Sequence, residues 1–113
     1  MIKHLLLFFI CSQVYAQTLT GKVIGVKDGD TVVVIDAANT QTTLRLAEVD
    51  CPEKAQAFGT RAKQFTSDQV YLKQVKYEVT DTDRYGRSIA KIYYDDNKYL
   101  SAEIIKNGFG WQY

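Results

Sequence analysis

Three short clusters of opposite charge stand at the edges of apolar runs: Asp28-Gly29-Asp30-Thr31, Arg45-Leu46-Ala47-Glu48-Val49-Asp50-Cys51-Pro52-Glu53 and Asp83-Arg84-Tyr85-Gly86-Arg87. Two carboxylates with a backbone carbonyl in an irregular segment are hard oxygen ligands, of the kind Ca2+ takes. A guanidinium offers a planar fork that matches phosphate oxygens. Two of them on neighbouring strands could clamp one phosphate and stabilise the charge that builds on it in a five-coordinate transition state. Tyr85 beside Arg87 could offer a ring face or a hydroxyl to a nucleotide. Meeting in space, the three clusters would make a metal-assisted phosphodiester site. Each alone has an ordinary reading. Asp-Gly pairs turn chains, and acids after a strand are often solvated. Arg45 in isolation reads as an outward-facing surface residue, and Arg87 as the same or as a partner of Asp83.

Periodicity gives the elements that must position these groups. Gly21 to Lys27 reads as a first strand, Asp28-Gly29-Asp30 as a hairpin turn and Thr31 to Asp36 as a second strand. Gln41 to Val49 reads as a third, with Leu44 and Leu46 on one face and Arg45 on the other. Pro52 ends it, having no N–H to give to a ladder. From Phe58 to Lys73 the period becomes helical, with Phe58, Ala62, Phe65 and Leu72 forming a stripe that Val70 broadens. Gln74 to Thr80 alternates again, Asp81 to Gly86 is a polar loop, and Arg87 to Tyr94 is a fifth strand. Asp95-Asp96-Asn97 turns. Ser101 is the expected N-cap of a short helix, Ala102 to Asn107, that Gly108 would stop. Three strands, a helix, two strands and a helix is the order of an OB-type five-stranded barrel, a mainly β (α+β) fold. An open α+β sheet also fits the pattern.

The 113 residues suffice for one domain with one modest core, and 46% hydrophobic residues is a globular composition. Residues 1–16 read as a secretory signal peptide. They hold a short basic start, an apolar run from Leu5 to Cys11, too short to span a bilayer, and Val14-Tyr15-Ala16 as the cleavage site. The mature domain is then 17–113, 97 residues (113 less 16), with 13 basic and 13 acidic side chains once Lys3 is removed. A neutral chain has no global positive field, so a polyanion must be held by local charge, helped by a bound cation. Cys51 is the one cysteine left in it. That excludes an internal disulfide, and with His4 in the leader a His/Cys zinc site is excluded too.

Together these residues resemble the staphylococcal nuclease (thermonuclease) family. Val26-Lys27-Asp28-Gly29-Asp30-Thr31, then Arg45-Leu46 with Val49-Asp50-Cys51-Pro52-Glu53, then Asp83-Arg84-Tyr85-Gly86-Arg87 are similar to its motifs and follow their order. The resemblance covers Gly21 to Tyr113. It implies an OB-fold with Ca2+-dependent phosphodiesterase activity on DNA and RNA that leaves 3′-phosphate ends. It implies that Asp30, Asp50 and the main-chain carbonyl of Cys51 hold Ca2+. Glu53 would act on the attacking water, Arg45 and Arg87 would bind the scissile phosphate, and Tyr85 would contact the nucleotide. The expectation is a secreted or periplasmic monomer with no stable membrane association after signal cleavage. Three features depart from the family: Cys51 where its best-known member has Thr, a short Glu53–Phe58 loop, and an end at Tyr113 where the family usually continues. Two rival readings stay open, a non-catalytic OB-fold that binds nucleic acid and an inactive, C-terminally truncated fragment.

Overall fold

The computed structural model describes residues 17–113, and the expected signal peptide lies outside the described residues. Eight strands and two helices follow in the order β1 (Thr18–Asp28), β2 (Thr31–Ile35), β3 (Gln41–Leu46), β4 (Val49–Asp50), α1 (Gly59–Val70), β5 (Gln74–Thr82), β6 (Ser88–Tyr94), β7 (Lys98–Tyr99), α2 (Leu100–Lys106) and β8 (Trp111–Gln112). The long β1 pairs antiparallel with β2 on one side and with β5 on the other. β2 pairs with β3, and β5 with β6. A parallel contact between β3 and β6, with Arg45 opposite Ile89, closes the ring. The result is the five-stranded OB barrel, and closure leaves its strands without free edges.

The barrel interior follows from alternation. Val32 and Val34 of β2, Leu44 and Leu46 of β3, Val75 and Tyr77 of β5, and Ala90 and Ile92 of β6 point inward and are buried. Ala62 and Val70 of α1 and Leu100 and Ile104 of α2 join the same core. Burying each large aliphatic side chain contributes about 1.5–3 kcal/mol.

Several boundaries differ from the sequence reading. β1 starts at Thr18, not Gly21, because Thr18 to Thr20 pair with Lys76 to Glu78 through the backbone, which needs no apolar side chain. The third strand stops at Leu46. Glu48 takes a left-handed conformation (φ 67°), and the chain turns before Val49-Asp50 pairs with Trp111-Gln112. The buried stripe of α1 is Gly59, Ala62, Thr66 and Val70. Phe58, 68% exposed, and Leu72 lie outside it, since small residues allow the helix to approach the barrel closely. Ser101 is not an N-cap: α2 begins at Leu100 after an extended Tyr99, and the Ser101 hydroxyl donates to the Ala47 carbonyl at 2.6 Å. That bond ties α2 to the turn that follows β3. Gly108 (φ 83°) does end α2.

Candidate active site

The β1–β2 turn carries Asp28 and Asp30. It is held from below by α1, where the buried Thr66 hydroxyl donates to the Gly29 carbonyl at 2.6 Å. Asp30 is nearly buried, and its carboxylate is fixed on both oxygens. Thr31 donates to Oδ1 at 3.0 Å, and the backbone N–H of Cys51 donates to Oδ2 at 2.9 Å. A bond across twenty-one residues thus brings the second cluster against the first. The Asp28 carboxylate accepts the N–H of Lys54 at 3.0 Å and draws in the following loop.

That loop is tightly folded. The Gln56 side chain accepts the N–H of Glu53 at 2.6 Å, and the Gln56 N–H donates back to the Glu53 carbonyl at 2.8 Å. A side chain at Gly59 would put its Cβ 1.8 Å from the Glu53 carbonyl oxygen, so only glycine lets α1 start there. Glu53 and Gln56 line a cleft of about 310 Å³ together with Asp28, Asp30, Asp50 and Cys51. Arg45, Arg87 and Trp111 complete its wall.

Arg45 lies at the centre. Its Nη1 donates to the carbonyls of Leu46 and Val49, both at 2.9 Å. Its Nη2 is 2.7 Å from Asp50 and 3.5 Å from Asp30. The surface reading of Arg45 is therefore wrong, because strand alternation gives the face of β3 but not that β4 folds over it. Arg87 sits beside Arg45 because β3 and β6 are adjacent. The Asp83 pairing weighed for Arg87 does occur, at 2.7 Å through Nε, and leaves the two-pronged end of the guanidinium out of that bond. Partial desolvation pushes the Asp83 carboxyl up. The N–H of Arg87, its side chain and the N–H of Tyr85 more than offset this and hold it below the usual carboxylate value.

Tyr85, 72% exposed, lies under two guanidinium groups, with Arg84 5.3 Å and Arg87 5.8 Å from its ring centre. It lines a second, adjoining hollow of about 470 Å³ that shares Arg45 and Arg87 with the first. Tyr113, which the sequence reading passed over, stands on the same hollow with the Arg45 guanidinium 5.8 Å from its ring centre. Trp111 was also missed. Its signal would have been alternation at 111 and 113 after a helix-stopping glycine, too short a run to count as a strand.

The donor set fits a hard divalent cation. Asp30 and Asp50 are oxygen donors that already gather a positive group between them. Among the described residues, no three His, Cys, Asp or Glu side chains cluster closely enough to hold a metal alone. A cation would therefore need carbonyl or water ligands as well. The Cys51 thiol is soft and buried, a poor match for a hard cation, and burial, then the neighbouring carboxylates, push its pKa up to about 12.

A protein-family model described as "Staphylococcal nuclease homologue" matches residues 43–113. The chain is 38% identical over 109 residues to an "Uncharacterized endonuclease" of Haemophilus influenzae, covering 96% of this chain and 61% of that protein. It is 33% identical over 113 residues to "Protein ParB" of Escherichia coli (92% and 62%). It is 35% identical over 102 residues to "Micrococcal nuclease" of Shigella flexneri (82% and 58%). The chain spans about three fifths of the length of these relatives.

Proposed function

Because the chain belongs to the staphylococcal nuclease family, we propose that it is a Ca2+-dependent nuclease that hydrolyses phosphodiester bonds in DNA and RNA and leaves 3′-phosphate ends. The observation that carries this reading is the convergence of Asp30, Asp50, Glu53, Arg45 and Arg87 on one cleft from four separate segments. A barrel that only bound nucleic acid would need the cations and aromatics but not the three acids beside them.

Asp30 and Asp50, with the Cys51 carbonyl, would hold the cation. Bound there, Ca2+ offsets phosphate charge and lowers the pKa of a coordinated water. The carboxylate of Glu53 accepts the proton of the attacking water or orients that water, and the Gln56 bond fixes its backbone. Arg87 donates to the phosphate with the free end of its guanidinium and stabilises charge on the leaving oxygen. Arg45, with Nη1 committed to two carbonyls, contributes mainly positive charge beside the same phosphate. Tyr85 offers its ring to a base. Every one of these groups comes from one chain, so the reading needs no second copy. Export to the periplasm or medium is part of the proposal, supported by the basic start, apolar run and Val14-Tyr15-Ala16.

The test is cleavage of single-stranded DNA and of RNA with Ca2+ and with chelator, with end analysis of the products. Ca2+-dependent 3′-phosphate ends are expected, with losses of about 10²-fold or more for Glu53→Gln and for Arg87→Ala. Cleavage that persists in chelator, or that both substitutions leave intact, would overturn the proposal.

A further inference from the structure

Trp111 is half-exposed on the wall of the acidic cleft, and none of the roles above uses it. Its position is fixed by pairing. β8 runs antiparallel to β4 with Trp111 directly opposite Asp50. Residues opposed in this way have Cβ atoms about 5 Å apart, so the indole stands beside the Asp50 carboxylate. The approach depends on Gly110, where a Cβ would meet the Asp50 carbonyl oxygen at 2.7 Å and Val49 and Ile104 at 3.0 Å.

Alternation then divides the end of the chain. Trp111 in β8 and Tyr113 just after it are two residues apart in the chain, about 7 Å, and Gln112 between them points the other way, toward α2. Trp111 reaches the cleft with the acids, and Tyr113 reaches the hollow with Tyr85. Arg45 and Arg87 line both. The arginine pair therefore has an aromatic platform on each side: Tyr85 and Tyr113 on one, Trp111 on the other. A phosphate joins two nucleosides, and each base has a π-face that an aromatic ring can stack, whatever its identity.

We propose that Trp111 is a second base-stacking subsite, which receives the base across the cleaved phosphate from the one held by Tyr85. The inference rests on the nuclease reading for the position of the phosphate. It makes the preferred substrate a single strand with an unstacked base on both sides of the bond.

The test combines cleavage with binding. The cleavage substrates are a single-stranded DNA oligonucleotide with one preferred cut site and two versions of it. Each version has an abasic residue on one side of that site. Trp111→Ala should lower kcat/KM on the complete oligonucleotide by roughly 5- to 100-fold, the equivalent of about 1–3 kcal/mol of stacking, and Trp111→Phe should restore most of it. On one abasic version, Trp111→Ala should have no further effect, while Tyr85→Ala still does. On the other the pattern should reverse. An equal loss on all three substrates would make Trp111 merely structural and overturn the proposal.

Trp111 is also the only tryptophan of the chain, so its fluorescence reports on it directly. In Glu53→Gln protein with Ca2+, the complete oligonucleotide should quench this emission, and the abasic version that removes Trp111's base should bind with clearly less quenching. Binding without quenching would refute the subsite whether or not the wild type cleaves. Quenching with no cleavage by the wild type would sink the nuclease reading and leave the subsite standing.

Discussion

Arg45→Met separates the structural and chemical duties of one guanidinium. Methionine keeps the length of the aliphatic stem, so packing along it is largely retained. What goes is the pair of Nη1 bonds to Leu46 and Val49, the Nη2 bond to Asp50 and the attraction to Asp30. Bonds from a charged donor contribute about 1.5–3 kcal/mol each. The cleft admits water and Asp50 is more than one-third exposed, so much of that is recovered by solvation. A net loss of about 2–4 kcal/mol is expected once the two bare carboxylates are also counted. For a domain of this size that lowers Tm by on the order of 10–30 °C. Circular dichroism melts in chelator measure it, with Arg87→Met as control. Arg87 is itself about one-third exposed and is bound through Nε alone, so its loss should move Tm by only a few degrees. Both variants should lose cleavage. An Arg45→Met protein that melts within about 3 °C of the parent, or an Arg87→Met protein that falls as far, would refute the claim that Arg45 ties β3 to β4.

Three other outcomes follow from the same geometry. Thr66→Val leaves the buried Gly29 carbonyl without its donor and should cost about 1–3 kcal/mol in urea unfolding, while Thr66→Ser should recover most of it; equal stability of all three would exclude this tie under the metal-site turn. Gly110→Ala must push β8 away from Asp50, so cleavage should fall at least about 10-fold, with a smaller change in melting; unaltered cleavage would mean the strand is not held there. Because the Cys51 pKa is raised to about 12, the native thiol should alkylate at pH 8 about 10³-fold more slowly than in unfolded chain. Its rate should climb as pH rises toward that value, and fast labelling at pH 8, read by mass spectrometry, would contradict the burial.

The residues that could do chemistry were legible because turn and loop chemistry is local. An Asp-Gly turn, a proline that ends a strand and a guanidinium opposite an inward leucine can all be read within a few positions. So could the barrel strands, since alternation over five or more residues is hard to mistake. The buried stripe of α1 was legible only in part, through Ala62 and Val70. Large apolar residues also suggested Phe58 and Leu72, which are exposed, while the polar Thr66 is fully buried beside Val70, because its hydroxyl satisfies a carbonyl on another element. Ser101 shows the same limit: its local neighbours suit a cap, and its partner at Ala47 lies 54 residues away.

Arg45 and Trp111 mark the division most clearly. The sequence by itself determined that acids, arginines and Tyr85 sit at strand ends, and in what order. Tertiary structure alone decided that Arg45 is enclosed by β4 instead of facing solvent. It also decided that the last residues return beside Asp50 to add Trp111 and Tyr113 to the arginine pair. The reason is that these contacts are backbone pairings between distant segments. A two-residue strand carries no periodic signature, and its place is set by the partner against which its N–H and C=O groups are satisfied.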